Sequence, residues 1–403
     1  MRILIQKFGG TSLSTAQARE CVIQHIAREK AAGYATVVVV SAMGRRGLPY
    51  ATDTFIQYIR DNGDSLPPRE MDLLLGCGET ISATVLCSTL RSRSISASVL
   101  TGAGAGIYTD DQHGFARIKR IQPDRILKLL QEEEVVIVTG FQGVSPLGDL
   151  TTLGRGGSDT TATALGAALG AEIVDIYTDV DGILTADPRY VEEAKPLTSV
   201  SYAEICNMAR QGAKVIHPRA VEIAQQSRIP IRVRSTFASG TGTLVSDQSG
   251  NHVPFVTDRH VTGIAQVSGV TQIAVEALDN RKDMQLQVFR TMAKHGISVD
   301  FINVTPSGAL YTVFDEQAAK ALELLTEAGF HPKSIPSCAK ISVIGGGMNG
   351  QPGVMAQIVE ALTEQGITIM QSADSNTTIW VLVRESDMTK ALRALHTKFG
   401  LHR

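Results

Sequence analysis

A chain of 403 residues with 43% apolar side chains and a net charge of −2 is long enough for two or three cored domains and too hydrophobic to be disordered. Acidic and basic residues are interspersed without a basic stripe, which argues against nucleic acid as a partner. Five cysteines (Cys21, Cys77, Cys87, Cys206 and Cys338) are scattered without CxxC spacing and read as reduced thiols, neither a zinc site nor a disulfide frame.

The chain starts MRILIQKFGG, where the apolar run Ile3–Ile5 is too short for a signal-peptide core. Neither Val37–Val40 nor the Ala/Gly-rich stretch 162–174 approaches the roughly 18 apolar residues of a bilayer span. The expectation is a cytoplasmic protein with no membrane partner. Up to about residue 245, β-branched runs at 2–7, 36–41, 97–100, 134–139, 173–178 and 230–234 alternate with helical patterns near 14–32, 69–91, 122–132, 158–169, 201–211 and 217–227. That alternation predicts an α/β fold with a mostly parallel sheet covered on both faces and ligands at the carboxyl ends of the strands. Residues 235–262, rich in Ser, Gly, Thr and Asp, read as a junction. Beyond it lies a diverged repeat: Gly296-Ile297-Ser298 matches Gly366-Ile367-Thr368 and Lys320-Ala321-Leu322 matches Lys390-Ala391-Leu392, both 70 residues apart. Each copy reads strand, helix, strand, strand, helix, which fits a ferredoxin-like unit.

The most informative segment is TTLGRGGSD, residues 151–159, running into an Ala/Leu-rich helix. Free N–H groups at a helix start attract anions, and Arg155 adds a fork that grips a carboxylate or phosphate. Gly156 and Gly157 let a ligand approach the backbone. Asp159 is repulsive there unless a metal or a lysine stands between, which points to phosphoryl transfer. The plain alternative is a loop-to-helix junction with Ser158 or Asp159 as N-cap. Lys7-Phe-Gly-Gly-Thr-Ser12 places a lysine and two hydroxyls around a Gly-Gly turn at the end of the first strand, without the GxxxxGK[ST] of a Walker A loop. Ser41-Ala-Met-Gly44 repeats that logic. Thr178-Asp179-Val-Asp181-Gly182 follows a strand, where nucleotide-sized ligands sit, or is a solvated turn; it departs from a calcium loop. Lys214 is a candidate second phosphate lysine, and His217 beside it reads as structural. Glu79 lies on or near a helix start, as a dipole partner or facing a substrate ammonium. Gly345–Gly350 fits GxGxxG with Asp374 downstream, but too little chain follows for a dinucleotide domain.

Taken in order, KFGGTS (7–12), SAMG (41–44), GETIS (78–82), GRGGSD (154–159), TDVDGILTADPR (178–189) and GAKVIHPRA (212–220) resemble the aspartokinases, a branch of the amino acid kinase family. The likeness covers essentially the whole chain and is nearest to monofunctional bacterial enzymes of the diaminopimelate-sensitive type. It implies a three-layer amino acid kinase domain over 1–245, a linker over 246–262, and two ACT domains over 263–335 and 336–403. It implies ATP-dependent phosphorylation of the side-chain carboxylate of L-aspartate, with Mg²⁺ carried on the ATP phosphates, and feedback by an amino acid (diaminopimelate, lysine or threonine).

By position, the resemblance gives Lys7 and Asp159 catalytic roles, with Asp159 orienting Lys7 or a Mg²⁺ complex. Lys7, Phe8, Gly9, Gly10, Ser41, Ser158, Thr178, Asp179, Leu184, Thr185, Ala186, Asp187, Pro188, Arg189 and Lys214 would surround ATP. Thr52, Glu79, Arg155, Gly156, Gly157 and Ser158 would hold aspartate, with Glu79 on its ammonium and Arg155 on its α-carboxylate. Asp300, Asn349 and Gln371 are candidate effector contacts, and edge-pairing repeats imply a homo-oligomer through the ACT domains. Another amino acid kinase, a non-catalytic amino-acid sensor and a nicotinamide-dependent oxidoreductase are the competing readings.

Overall fold

Strands buried on both faces must be apolar along their whole length, and Val37–Val40 is fully buried in this way. The computed structural model describes residues 1–63, 66–213, 215–247, 260–276, 283–348 and 351–403. The chain divides into two compact units: Met1–Ile183, Pro196–Arg210 and Lys214–Val256 form the first, and Leu184–Lys195, Gln211–Ala213 and Thr257–Arg403 form the second. Segments 184–195 and 211–213, which the sequence places inside the first domain, therefore pack in the second unit.

In the first unit the main sheet runs Ser199–Val200, Thr243–Val245, Ile231–Ser235, Ile173–Thr178, Arg2–Phe8, Tyr34–Val40, Val135–Thr139, Ala97–Leu100 from edge to edge. Its parallel members are the runs read from sequence. Thr243–Val245, taken from the stretch read as a junction, adds an antiparallel strand beside Ile231–Ser235. A smaller sheet, Ile118–Ile121, Ile107–Thr109, Gln142–Val144 and Leu150–Thr152, escapes the sequence pattern because its strands are three or four residues long, too short to display a period.

The helix Gly157–Leu169 is buried along its first three turns, which requires small side chains. A Cβ on Gly166 would lie 2.6 Å from Val174 Cγ2, so the helix lies against the sheet at a distance only glycine permits there. The buried hydroxyls of Thr160 and Thr161 donate to the carbonyls of Gly156 and Gly157 at 3.0 and 2.9 Å, and that of Thr163 donates to Asp159 O at 3.2 Å, so none is left unpaired. One helix among the described residues, Pro68–Arg91, is long and apolar enough by composition to cross a membrane. It carries Asp72 and Glu79 buried in the first unit, as a core helix does.

The second unit is built on one antiparallel six-stranded sheet in the order Asp300–Thr305, Gly308–Phe314, Gly263–Glu276, Lys333–Ile344, Thr378–Arg384, Gln371–Asp374. Its two long central strands serve both repeats. The first half of Gly263–Glu276 pairs with the second half of Lys333–Ile344, and the reverse, across register shifts between Val267 and Gln272. The expected boundary between residues 335 and 336 thus falls inside a strand, and the repeats are interlocked rather than sequential. The second ferredoxin-like half takes its fourth strand from the first part of Gly263–Glu276. Gln272 Nε2 donates to Gln371 Oε1 at 2.9 Å, and Gln371 Nε2 donates to Phe301 O at 2.5 Å, joining the halves through buried amides. Gly345 follows a strand of this antiparallel sheet, so the GxGxxG match lacks the parallel βαβ setting a dinucleotide needs.

Candidate active site

A cavity of about 720 Å³ opens in the first unit. Among its lining residues are Lys7, Gly10, Ser41, Thr52, Glu79, Arg155, Gly156, Gly157, Ser158 and Asp159, so segments far apart in sequence meet in one place. Lys7 comes from the strand Arg2–Phe8 and Ser41 follows the neighbouring strand Tyr34–Val40. Parallel pairing of those strands sets the two loops side by side. Gly44 N donates to Gly10 O at 2.9 Å, locking the loops together. A Cβ on Gly10 would stand 2.6 Å from the carbonyl oxygens of Ala42 and Gly44, so glycine is required for that approach.

Lys7 Nζ lies 2.7 Å from Asp159 Oδ1, and both side chains are largely shielded from solvent. The N-cap of the helix Gly157–Leu169 is Gly156, in the left-handed region, with Ser158 and Asp159 inside the first turn. The plain reading of either as N-cap is therefore corrected: the chain turns with φ +69° at Gly156, which a side chain resists. A Cβ at Gly156 would also meet the His217 ring at 2.2 Å. His217 caps the helix Pro218–Ser227, its Nδ1 accepting from Arg219 N at 3.3 Å. Arg155 stands exposed at the rim.

Glu79 lies in the middle of the helix Pro68–Arg91, not at a helix start. The glycines around it are packing sites: Cβ atoms on Gly76 and Gly78 would meet Leu150 Cδ1 at 2.9 Å and Ala42 Cβ at 2.7 Å. Glu79 Oε1 accepts from Ala42 N at 3.1 Å, while Oε2 is buried without a partner. Burial pushes its carboxyl up to about 7, against backbone hydrogen bonds that pull it down. A buried acid with one open oxygen in a cavity can receive a cationic group.

Several expected residues lie elsewhere. Phe8 is fully buried and stacks on Tyr177 at 4.6 Å, so only its backbone is left for a nucleotide, and its carbonyl already accepts from Ser41 N. Gly9, Thr178 and Asp179 are not among the cavity's lining residues; Asp179 pairs with Arg45. Of Leu184–Arg189, Thr185 and Ala186 turn into the second unit, where Ala186 joins its hydrophobic core and Thr185 O accepts from Ile264 N at 2.8 Å. Asp187 pairs with Arg189 at 2.6 Å. Asp300 pairs with Lys340 in the second unit. Lys214 and Asn349 lie outside the described residues.

Asp72 and Arg45 are among the lining residues that escaped the sequence reading. Asp72, buried beneath the cavity, accepts from Gly114 N at 3.0 Å, Thr152 N at 3.0 Å and Thr152 Oγ1 at 2.5 Å, with His113 Nδ1 at 2.9 Å. Its signal was an acid two helical turns before Glu79 on the same face of an apolar helix. Arg45, just beyond the Gly44 turn, ties the cavity's rim to the end of the strand Ile173–Thr178 through Asp179.

Residues 2–235 match the amino acid kinase family and residues 333–397 match the ACT domain. The class is thus an amino acid kinase joined to ACT repeats. Aspartokinase 1 of Bacillus subtilis is 52% identical over 402 residues, covering 100% of both chains, and the aspartokinase of Geobacillus stearothermophilus is 40% identical over 100% of this chain and 98% of its own. The crystal structure of E. coli aspartokinase III in complex with aspartate and ADP aligns with a TM-score of 0.77 at 27% identity, over 98% of this chain and 99% of that one. The chain belongs to the aspartokinase family.

Proposed function

We propose that the protein transfers the γ-phosphoryl group of ATP to the side-chain carboxylate of L-aspartate, giving 4-phospho-L-aspartate and ADP. The observation that carries this reading is one cavity holding a shielded lysine–carboxylate pair beside a buried acid with an open oxygen. Glu79 takes the α-ammonium, and Arg155 takes the α-carboxylate as a planar fork. Thr52 and the Gly156–Ser158 turn complete the amino-acid side. With both α-groups held, the side-chain carboxylate points toward Lys7.

An aspartate carboxylate is ionised near neutral pH and needs no general base. One of its oxygens attacks the γ-phosphorus, and the bond to the β,γ-bridging oxygen breaks, its electron pair leaving with ADP. Lys7 stabilises the charge on the transferring group, and Asp159 fixes the position of the ammonium. Asp159, the carboxylate beside Lys7, would hold Mg²⁺ carried on the ATP phosphates, which would supply further charge neutralisation. Gly9, Gly10, Ser41, Thr178, Asp179 and Lys214 serve the nucleotide.

The interlocked ACT repeats sense an amino acid among diaminopimelate, lysine and threonine, through the region of Asp300, Asn349 and Gln371. Aspartokinase III of E. coli, similar at a TM-score of 0.78, is described in complex with lysine and aspartate in a T-state. The reading includes a homo-oligomer through these repeats and a cytoplasmic location. Trapping the acyl phosphate with hydroxylamine tests the reaction: aspartate alone should yield hydroxamate among aspartate, glutamate and N-acetylglutamate. Equal turnover of glutamate would move the chain to another branch of the family.

A further inference from the structure

Within the second unit, Glu193, His396 and His402 converge: one ligand atom from each lies within 4.8 Å of the others. The local sequence builds this cluster deliberately at both ends. The helix Met388–Lys398 ends in a Schellman turn, with Gly400 at φ +64°, Gly400 N donating to Thr397 O at 3.0 Å and Leu401 N to His396 O at 3.1 Å. Leu401 is buried as the turn's apolar anchor, and the reversal brings His402 back over His396. Glu193 is supplied by the segment Leu184–Lys195, whose ends are pinned together: Thr185 N donates to Lys195 O at 2.9 Å and Lys195 N to Thr185 Oγ1 at 3.0 Å.

Two ring nitrogens of these histidines are otherwise unexplained. Nδ1 of His396 and Nδ1 of His402 are both buried without a hydrogen-bond partner, and His396 is completely shielded from solvent. Orphaned buried nitrogens are costly and uncommon in native folds. His396 Nε2 stands 2.9 Å from Thr185 Oγ1. With the ring proton on Nε2 and donated to that oxygen, Nδ1 keeps a lone pair free for a ligand, the arrangement a metal-bound imidazole commonly has.

We propose that His396, His402 and Glu193 bind a divalent transition ion of the zinc class, with water completing a four-coordinate sphere. Two imidazoles and a carboxylate are a zinc-type donor set, and calcium or magnesium would require more oxygens. Ligand atoms about 2.0–2.2 Å from a tetrahedral ion stand about 3.3 Å apart. The exposed Glu193 side chain supplies the small movement that closes the set. Such an ion would fasten the segment Leu184–Lys195 to the C-terminal turn inside the same unit.

The test uses the full chain, freed of metal by chelation and kept nucleotide-free at pH 7.5, in equilibrium dialysis against Zn²⁺ and in titration with Co²⁺ followed by visible absorption. The expected result is one tight equivalent per chain with a nitrogen–oxygen Co²⁺ spectrum. His402→Gln and Glu193→Gln should each weaken it at least tenfold. Thr185→Val, which keeps all three ligands, should weaken it by about 10- to 100-fold. Thermal unfolding should rise on adding Zn²⁺ in the parent and not in His402→Gln. Affinity unchanged by His402→Gln, or a thiolate spectrum abolished by changing the exposed Cys77 to serine, would overturn the proposal.

Discussion

Lys7 Nζ and Asp159 Oδ1 stand 2.7 Å apart across two segments that are 152 positions apart in sequence (159 − 7), one closing the first strand and the other opening a buried helix. The carboxylate that looked misplaced beside an anion site is the counter-charge that holds the lysine in position. An unpaired lysine there would be free to sample other rotamers, and an unpaired aspartate would repel phosphate. The pair is therefore a single functional object.

Because the two act as one, their removal should not add. Lys7→Ala should lower kcat by about a hundredfold or more, the scale of one lost preorganised donor. Asp159→Asn should lose a similar factor, and the double variant little more than either alone. Steady-state kinetics of the four-protein cycle checks this; independent, multiplying losses would show that the groups act separately.

Gly156 is constrained twice, by its positive φ and by the His217 ring a Cβ would strike at 2.2 Å. Gly156→Ala should cost about 2 kcal/mol or more in urea unfolding. It should also raise the aspartate KM several-fold by displacing the Arg155 turn. A variant as stable as the parent, with unaltered KM, would mean the turn relaxes freely.

Asp72 holds the floor of the cavity by accepting from three donors on Gly114 and Thr152. Asp72→Ala strands the buried N–H and hydroxyl of Thr152, at a cost of about 3 kcal/mol. The measurement is chemical denaturation, with Asp72→Asn expected to fall between the two. Equal stability of all three would show that solvent reaches the Gly114 and Thr152 amides.

The long parallel strands were legible because burial on both faces leaves a continuous β-branched run such as Val37–Val40. The Lys7, Ser41 and Arg155–Asp159 loops were legible because they follow those strands or precede a helix of unusually small residues. Glu79 was placed on or near a helix start and lies mid-helix; Gly76 and Gly78 beside it serve the close approach of Leu150 and Ala42, a tertiary fact. The interlocking of the repeats was illegible for a related reason. A strand shared by two halves of a sheet, like Lys333–Ile344, carries no mark of where one half stops. Phe8 shows the limit of a motif: its neighbour Lys7 faces the cavity, and strand alternation turns Phe8 into the core.

Glu79 gives a pH dependence whose sign can be worked out. Its carboxyl titrates at about 7 in the folded protein against an ordinary 4.5, because burial disfavours the charge. The folded state therefore holds an extra proton between those values, so this group favours folding at low pH and that advantage is lost as pH rises through 7. Binding an ammonium requires the opposite, ionised form. At pH 8 about nine-tenths of the free enzyme has the carboxylate, and at pH 6 about one-tenth, so the aspartate KM should rise about tenfold from pH 8 to pH 6 with ATP saturating. Glu79→Gln should raise KM throughout, flatten that profile, and unfold at no lower temperature than the parent above pH 7, since the variant carries no buried charge. A Glu79→Gln enzyme that kept the parental pH profile would remove Glu79 from the ammonium site.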